Sequence, residues 1–171
     1  MAKTGDTSDH ENATQAVVGV DGDDRKQGVV NRLEAHTGDG VRHRAFTALL
    51  FDEQGRILLA QRSPDKRLWD THWDGTVASH PREGESQVEA ARQRLDDELG
   101  VTPDQYDALT VTDRFEYRPR YYDEGIEHEV CSGWQQTLSY TRLDPASIVV
   151  AGWLWGPHAR RAVNRRRDRH L

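Results

Sequence analysis

Short apolar runs separated by glycine- and aspartate-rich punctuation recur along the chain, a rhythm that predicts strands with one amphipathic helix among them. Residues 16–20 (AVVGV) are apolar and end in Asp21-Gly22-Asp23-Asp24, a turn signal. Residues 28–36 begin as a strand and close with a helical turn, RLEAH. Residues 44–51 (RAFTALLF) and 56–62 (RILLAQR) are β-rich, and Asp52-Glu53-Gln54-Gly55 between them predicts a hairpin. An irregular stretch with Trp69, Trp73 and Gly75 leads to a short strand at 76–80. The helix spans 86–99: Ser86 and Glu89 form a capping-box pattern, and Gly100 supplies a left-handed C-terminal cap. Val88, Ala91, Leu95 and Leu99 recur at three- and four-residue steps as its buried stripe, while Arg94 and Glu98 share another face. Residues 111–118 and 127–140 read as further strands. Mixed strands with one dominant helix predict an α+β fold or an α/β sandwich.

Composition narrows the setting. A chain of 171 residues suits one domain with one core. Residues 1–15 are too polar to pack and predict a flexible tail without a secretory signal. No apolar run approaches the roughly 18 residues of a membrane span. One cysteine, Cys131, leaves no internal disulfide framework and predicts a reducing, cytoplasmic setting. The net charge is −6, but the last fifteen residues hold six arginines and one aspartate. Removing that +5 leaves −11 on the first 156 residues. Three lysines stand against twenty arginines, and abundant aspartate with scarce lysine is the composition of proteins from salt-loving microbes. A body this acidic argues against a nucleic-acid partner outside the C-terminal segment.

Candidate chemistry lies in histidines and carboxylates. Glu127 and Glu129, two apart in an expected strand, project from one face roughly 6.6 Å apart along it. Two such carboxylates repel unless a cation or a shared proton sits between them, although an exposed strand of solvated acids has the same spacing. His36 and His43 flank a turn-rich segment, and His80 follows the strand at 76–80. Each alone is more often a surface or satisfied histidine than a ligand; their convergence would make a site. Mixed histidine and carboxylate donors suit manganese, zinc or iron rather than magnesium alone. Arg62 and Lys66 supply cations of the kind that diphosphate oxygens require, or else belong to a solvated loop.

The stretches EAHTGDGVRHRAF, RLWDTHWDGTVASHPREGES, RLDDELGV, FEYR and GIEHEVC together resemble the type 1 isopentenyl-diphosphate isomerases, a family of the Nudix fold. The resemblance runs from about Ala16 to Cys131. It implies an α/β/α sandwich with a mixed sheet over residues 16–150, and interconversion of isopentenyl and dimethylallyl diphosphate. The family's metal site falls on His36, His43, His80, Glu127 and Glu129, for Mn2+ or Zn2+. Glu98 would hold Mg2+ with the diphosphate, and Arg62, Lys66 and Arg94 would contact the phosphates. Glu129 with Tyr117 would handle the proton on one side, and Trp73 would wall the apolar pocket. The implied partner is a small prenyl diphosphate, with no nucleic acid and no membrane; the oligomeric state is left open.

Two departures stand against the resemblance. The family's catalytic cysteine position is Ala78, and the following glycine is Ser79. Loss of a positioned acid or base typically costs a factor of about 10² to 10⁴. After Val150 the family continues with helices that close the pocket, one bearing a tryptophan. Here residues 151–171 are Arg-rich, offer Trp153 or Trp155, and read as a basic tail or as an out-of-frame end. Three functions follow: an isomerase, weakened or intact; a non-catalytic prenyl-diphosphate-binding homologue; or a Nudix hydrolase. Against hydrolysis, the hydrolase pattern of Arg-Glu at 93–94 and paired glutamates at 97–98 is replaced by Gln93, Arg94, Asp97 and Glu98.

Overall fold

The computed structural model describes residues 14–52, 55–62, 64, 66–106, 109–138 and 148–154, with 136–138 and 148–154 by backbone alone. The expected tail up to residue 13, Glu53 and Gln54 of the hairpin turn, Trp155 and the rest of the Arg-rich segment lie outside the described residues. In chain order the first strands are β1 (Ala16–Val20) and β2 (Lys26–Asn31), followed by a single helical turn, α1 (Arg32–Ala35). Then come β3 (His43–Asp52), β4 (Ile57–Arg62), β5 (Trp73–Asp74), β6 (Val77–Ser79) and helix α2 (Gln87–Leu99). After a 3-10 turn (Pro103–Gln105) follow β7 (Thr110–Tyr117), β8 (Arg120–Tyr121), β9 (Gly125–Ile126), β10 (Glu129–Leu138) and β11 (Ile148–Leu154).

Because β3 is apolar along almost its whole length, it is a strand to be covered on both faces, and Ala45, Phe46, Ala48 and Leu50 are all buried. It is the hub of a nine-stranded mixed sheet. One flank pairs in parallel with β10, from Glu129↔His43 to Leu138↔Asp52. Beyond it β7 pairs antiparallel with β10, opposing Tyr117 to Glu129. The other flank divides: residues 46–48 pair with β6, while β4 meets β3 only at Phe51↔Ile57. From there β4 pairs with β5 and with β11, a strand that crosses the expected boundary at Val150. The hairpin of β1 and β2 joins through Gly19↔His43, and β8 with β9 makes a separate two-stranded ribbon.

Helix α2 forms where the sequence places it. The Ser86 hydroxyl accepts from the Glu89 N–H at 3.3 Å, the Glu89 carboxylate accepts from the Ser86 N–H at 3.1 Å, and Gly100 caps the end at φ 64°. Ala90, Ala91, Leu95 and Leu99 bury their face against Phe46, Ala48, Leu50, Leu58 and Val77, with Val88 at the margin. Each fully buried leucine contributes roughly 1.5–3 kcal/mol. The α+β class with a mixed sheet therefore holds. The sequence missed β5, the ribbon and β11, and it began the last long strand too early. Glu127 and His128 form the link into β10, so Glu127 is not a strand neighbour of Glu129. No helix among the described residues is long and apolar enough to cross a membrane.

The fork at β3 is held by one hydroxyl. Thr76, 1% exposed, accepts from the Leu50 N–H at 2.9 Å and donates to the Leu58 carbonyl at 2.6 Å, bridging β3 and β4 where their ladder is open. Gly75 beside it is dictated by space, since a Cβ would stand 2.6 Å from Thr47 Oγ1. Thr76→Val keeps the shape but leaves two buried backbone groups unpaired. A loss of about 2–4 kcal/mol is expected in urea unfolding, with most of it restored by Thr76→Ser.

Candidate metal centre and anion site

Four segments deliver one cluster. His36 follows α1, a turn started by Asn31, whose side chain accepts from the N–H groups of Leu33 at 2.9 Å and Glu34 at 3.3 Å. Its carbonyl accepts from the Ile126 N–H at 3.2 Å, a close approach that requires Gly125, whose Cβ would lie 2.8 Å from that oxygen. His43 opens β3, His80 follows β6, and Glu129 opens β10 directly beside His43. One donor atom from each lies within 4.8 Å of every other. Glu129 Oε1 is 3.0 Å from His80 Nε2, 3.6 Å from His43 Nε2 and 3.8 Å from His36 Nε2. All four residues are buried or nearly so.

Hydrogen bonds behind the rings fix their tautomers. His36 Nδ1 faces the Arg32 carbonyl at 2.7 Å, and His43 Nδ1 faces the Val41 carbonyl at 2.6 Å. A carbonyl only accepts, so both Nδ1 atoms carry the proton and both Nε2 lone pairs point into the cluster. Such inward-facing acceptors around a carboxylate fit a divalent cation, and three imidazoles with one carboxylate suit Mn2+, Zn2+ or Fe2+ better than Mg2+. Glu127, a ligand candidate by sequence, is not brought into this set; its N–H donates to the Pro119 carbonyl at 3.0 Å.

Burial alone raises the Glu129 carboxyl, but the three imidazoles packed against it outweigh that and hold the group well below the usual carboxylate range. Burial pushes His80 down to about 3 against the pull of Glu129. The Tyr117 hydroxyl donates to Glu129 Oε2. Burial first, then the Glu129 and Glu127 charges, raise this phenol well above its ordinary value, so it keeps its proton. Ala78 pairs with Thr47 and lies on the same sheet face as His43 and Glu129, but on the opposite flank of β3. It is exposed. Cys131, also on this face beside Ala45, is buried, and burial followed by the Glu129 charge pushes its thiol up.

A cationic group adjoins the cluster. Burial, then Arg62, lowers Lys66, while Glu98 supports its charge. Burial raises the Glu98 carboxyl against the pull of Arg94, Lys66 and Arg62, and Arg94 Nη1 lies 3.3 Å from Glu98 Oε1. Arg62 Nη2 donates to the Leu68 carbonyl at 3.1 Å, and its Nη1 is 3.8 Å from Asp74. Sequence reasoning missed Arg32. Burial, then the Arg94 charge, lowers it to about 10, and it feels Glu129, Arg62 and Glu127 as well. The signal available was its place on the turn that ends in His36, four residues before that ring. Arg32, Arg62, Lys66 and Arg94 are thus cations gathered near Glu98, Asp74 and Glu129, of the residue types that anionic oxygens attract. Trp73, on β5, is 46% exposed.

Residues 41–155 match the model of the NUDIX domain family. The chain is 64% identical to the isopentenyl-diphosphate Delta-isomerase of Haloarcula marismortui over 151 residues, which cover 88% of the chain and 81% of that protein. The enzyme of the same name from Halobacterium salinarum is 66% identical over 145 residues, 85% of the chain and 68% of the relative. Among solved structures, a Deinococcus radiodurans protein superimposes with a TM-score of 0.67 at 23% identity, over 87% of this chain and 90% of that one.

The cluster makes the metal-free protein acid-sensitive in a defined direction. His80 titrates lower in the folded state than in the unfolded chain, so its contribution is complete above the unfolded value near 6.5 and is lost as pH falls toward about 3. Glu129, also depressed, adds loss in the same direction at lower pH. Unfolding free energies from urea melts should fall by about 1.4 kcal/mol per pH unit between roughly pH 6 and 4, for the proton that the unfolded histidine takes up. His80→Gln should flatten that slope.

Proposed function

The chain belongs to the NUDIX domain family and, within it, to the isopentenyl-diphosphate Delta-isomerases, and from that premise we propose that it interconverts isopentenyl and dimethylallyl diphosphate by moving a proton. The observation that carries this reading is the pairing of Tyr117 and Glu129 inside a ring of three imidazoles, beside a cationic group of the kind a diphosphate needs. His36, His43, His80 and Glu129 would hold Mn2+ or Zn2+, with Glu127 the fifth candidate ligand. Glu98 would hold Mg2+ with the diphosphate. The bound metals supply charge stabilisation, on Glu129 in one case and on phosphate oxygens in the other.

The chain's own residues do the rest. Arg32, Arg62, Lys66 and Arg94 bind the diphosphate at the strand ends, from which the short apolar chain turns toward the sheet face that carries Tyr117, Glu129 and Ala78. Tyr117 keeps its proton on the phenol oxygen and shares it with Glu129 Oε2, so one side of the substrate meets a proton donor. Protonating the alkene yields a tertiary carbocation, and the neighbouring carbon then loses a proton on the other flank. Ala78, on that flank, offers no base but is exposed, so water receives that proton. A buried, unpaired Cys131 fits the reducing cytoplasm as the setting.

Hydrolysis is the weaker reading. The helix position that would carry a metal-binding glutamate carries Arg94, already ion-paired with Glu98. The test is deuterium uptake from D2O into isopentenyl diphosphate with Mg2+ and Mn2+ present, alongside phosphate release from a nucleotide panel. Slow exchange by the wild type is expected, faster by a factor of about 10² or more in Ala78→Cys and lost in Glu129→Gln. No exchange by either the wild type or Ala78→Cys, together with phosphate release, would replace the isomerase by a hydrolase.

A further inference from the structure

Arg94 projects from α2 toward the cationic group with its side chain about one-third exposed, 34%. An arginine that free has rotamers to lose before it can grip a ligand, which weakens binding. Two contacts remove that freedom. Nη1 lies 3.3 Å from Glu98 Oε1, one helical turn along. Nε donates to the hydroxyl of Ser79 at 3.1 Å. Ser79 is itself 9% exposed and fixed in the β6 ladder opposite Phe46, so the hydroxyl is a stationary anchor. A guanidinium held at Nε and at one terminal nitrogen has its plane fixed, and its outer edge is presented in one orientation.

We infer that Ser79 is a positioning residue, whose hydroxyl pins Arg94 Nε and so holds the guanidinium ready for a phosphate. The inference rests on the reading of Arg94 as a diphosphate contact. It gives a use to one of the two positions at which the chain departs from the family pattern, because glycine there has no side chain with which to hold the arginine. The neighbouring residue, His80, belongs to the imidazole cluster on the opposite face of the sheet. One strand end therefore sets a metal-site ring on one side and the diphosphate arm on the other.

The test is a double-mutant cycle read by calorimetric titration with inorganic diphosphate and Mg2+. Ser79→Ala should weaken binding about five- to tenfold, the cost of one hydrogen bond to a half-exposed charged group. Ser79→Thr should keep wild-type affinity, and Ser79→Gly should behave as Ser79→Ala. Arg94→Lys keeps the charge but has no Nε–H to be held, and in that background Ser79→Ala should cost nothing further. An equal loss in both backgrounds, or no loss in the wild type, would overturn the inference and leave the family reading standing. Failure of the wild type itself to bind magnesium diphosphate would overturn that reading, and the inference with it. Melting temperatures of the variants separate lost binding from lost folding; if Ser79→Ala melts early, Ser79→Gly carries the cycle.

Discussion

A carboxylate buried among three imidazoles is the constraint on which the arrangement depends. An ionised Glu129 at 6% exposure costs several kcal/mol or more unless donors surround it. The polar groups around it come from the end of α1, the start of β3, the residue after β6 and the phenol on β7. None is close in sequence to another, so the carboxylate is tolerable only once four segments have docked. The parallel register of β10 on β3 is the step that makes this possible, because it sets Glu129 beside His43. A slip of one residue would turn Glu129 to the opposite face, away from all three rings.

That register also divides the labour between the two faces of the sheet. Alternation along β3 sends Phe46, Ala48 and Leu50 toward α2 and leaves His43, Ala45 and Thr47 on the other side. Strand β6 can supply residues to both faces because β3 parts company with β4 to admit it, and the Thr76 hydroxyl replaces the missing rungs. Imidazoles and carboxylate gather on one face while the arginines of α2 and β4 gather at the other. The separation has an electrostatic reason. The Arg94 charge already depresses Arg32, and a closer protonated imidazole would add to that repulsion.

How much of this was legible in the sequence depended on the range of the interaction. Helix α2 was readable to the residue, since its capping box, apolar stripe and Gly100 are all local signals. The hairpin from β3 to β4 was readable as an element pair, but its single ladder pair was not, because the intruding β6 is set by tertiary packing. Glu127 was placed on a strand with Glu129 by a spacing of two, which cannot distinguish a strand from the link that precedes one. Arg32 was invisible for a related reason. A one-turn helix has no periodicity of its own, and the direction of its side chains is fixed by Ala35 and His36 docking beneath it. Ser79 was seen only as a departure; its partner, Arg94, lies fifteen residues away on another element.

The two sides of the proton transfer do not bear the loss of a residue equally. Protonating an unactivated alkene is uphill, because it makes a tertiary carbocation from a neutral double bond. In the forward direction the barrier therefore falls on the donor, and the proposed donor, Tyr117, is hydrogen-bonded to Glu129. Loss of the neighbouring proton is downhill, since a carbocation acidifies the adjacent C–H so strongly that even a weak base suffices. A thiol at position 78 would govern where that proton goes and how quickly product forms, whereas the carboxylate decides whether the cation forms at all. In the forward direction the lack of a thiol at Ala78 thus slows collapse of the cation to product, and in the reverse direction it removes the donor that must make the cation. The half that makes the cation is the one that four chain segments converge to build.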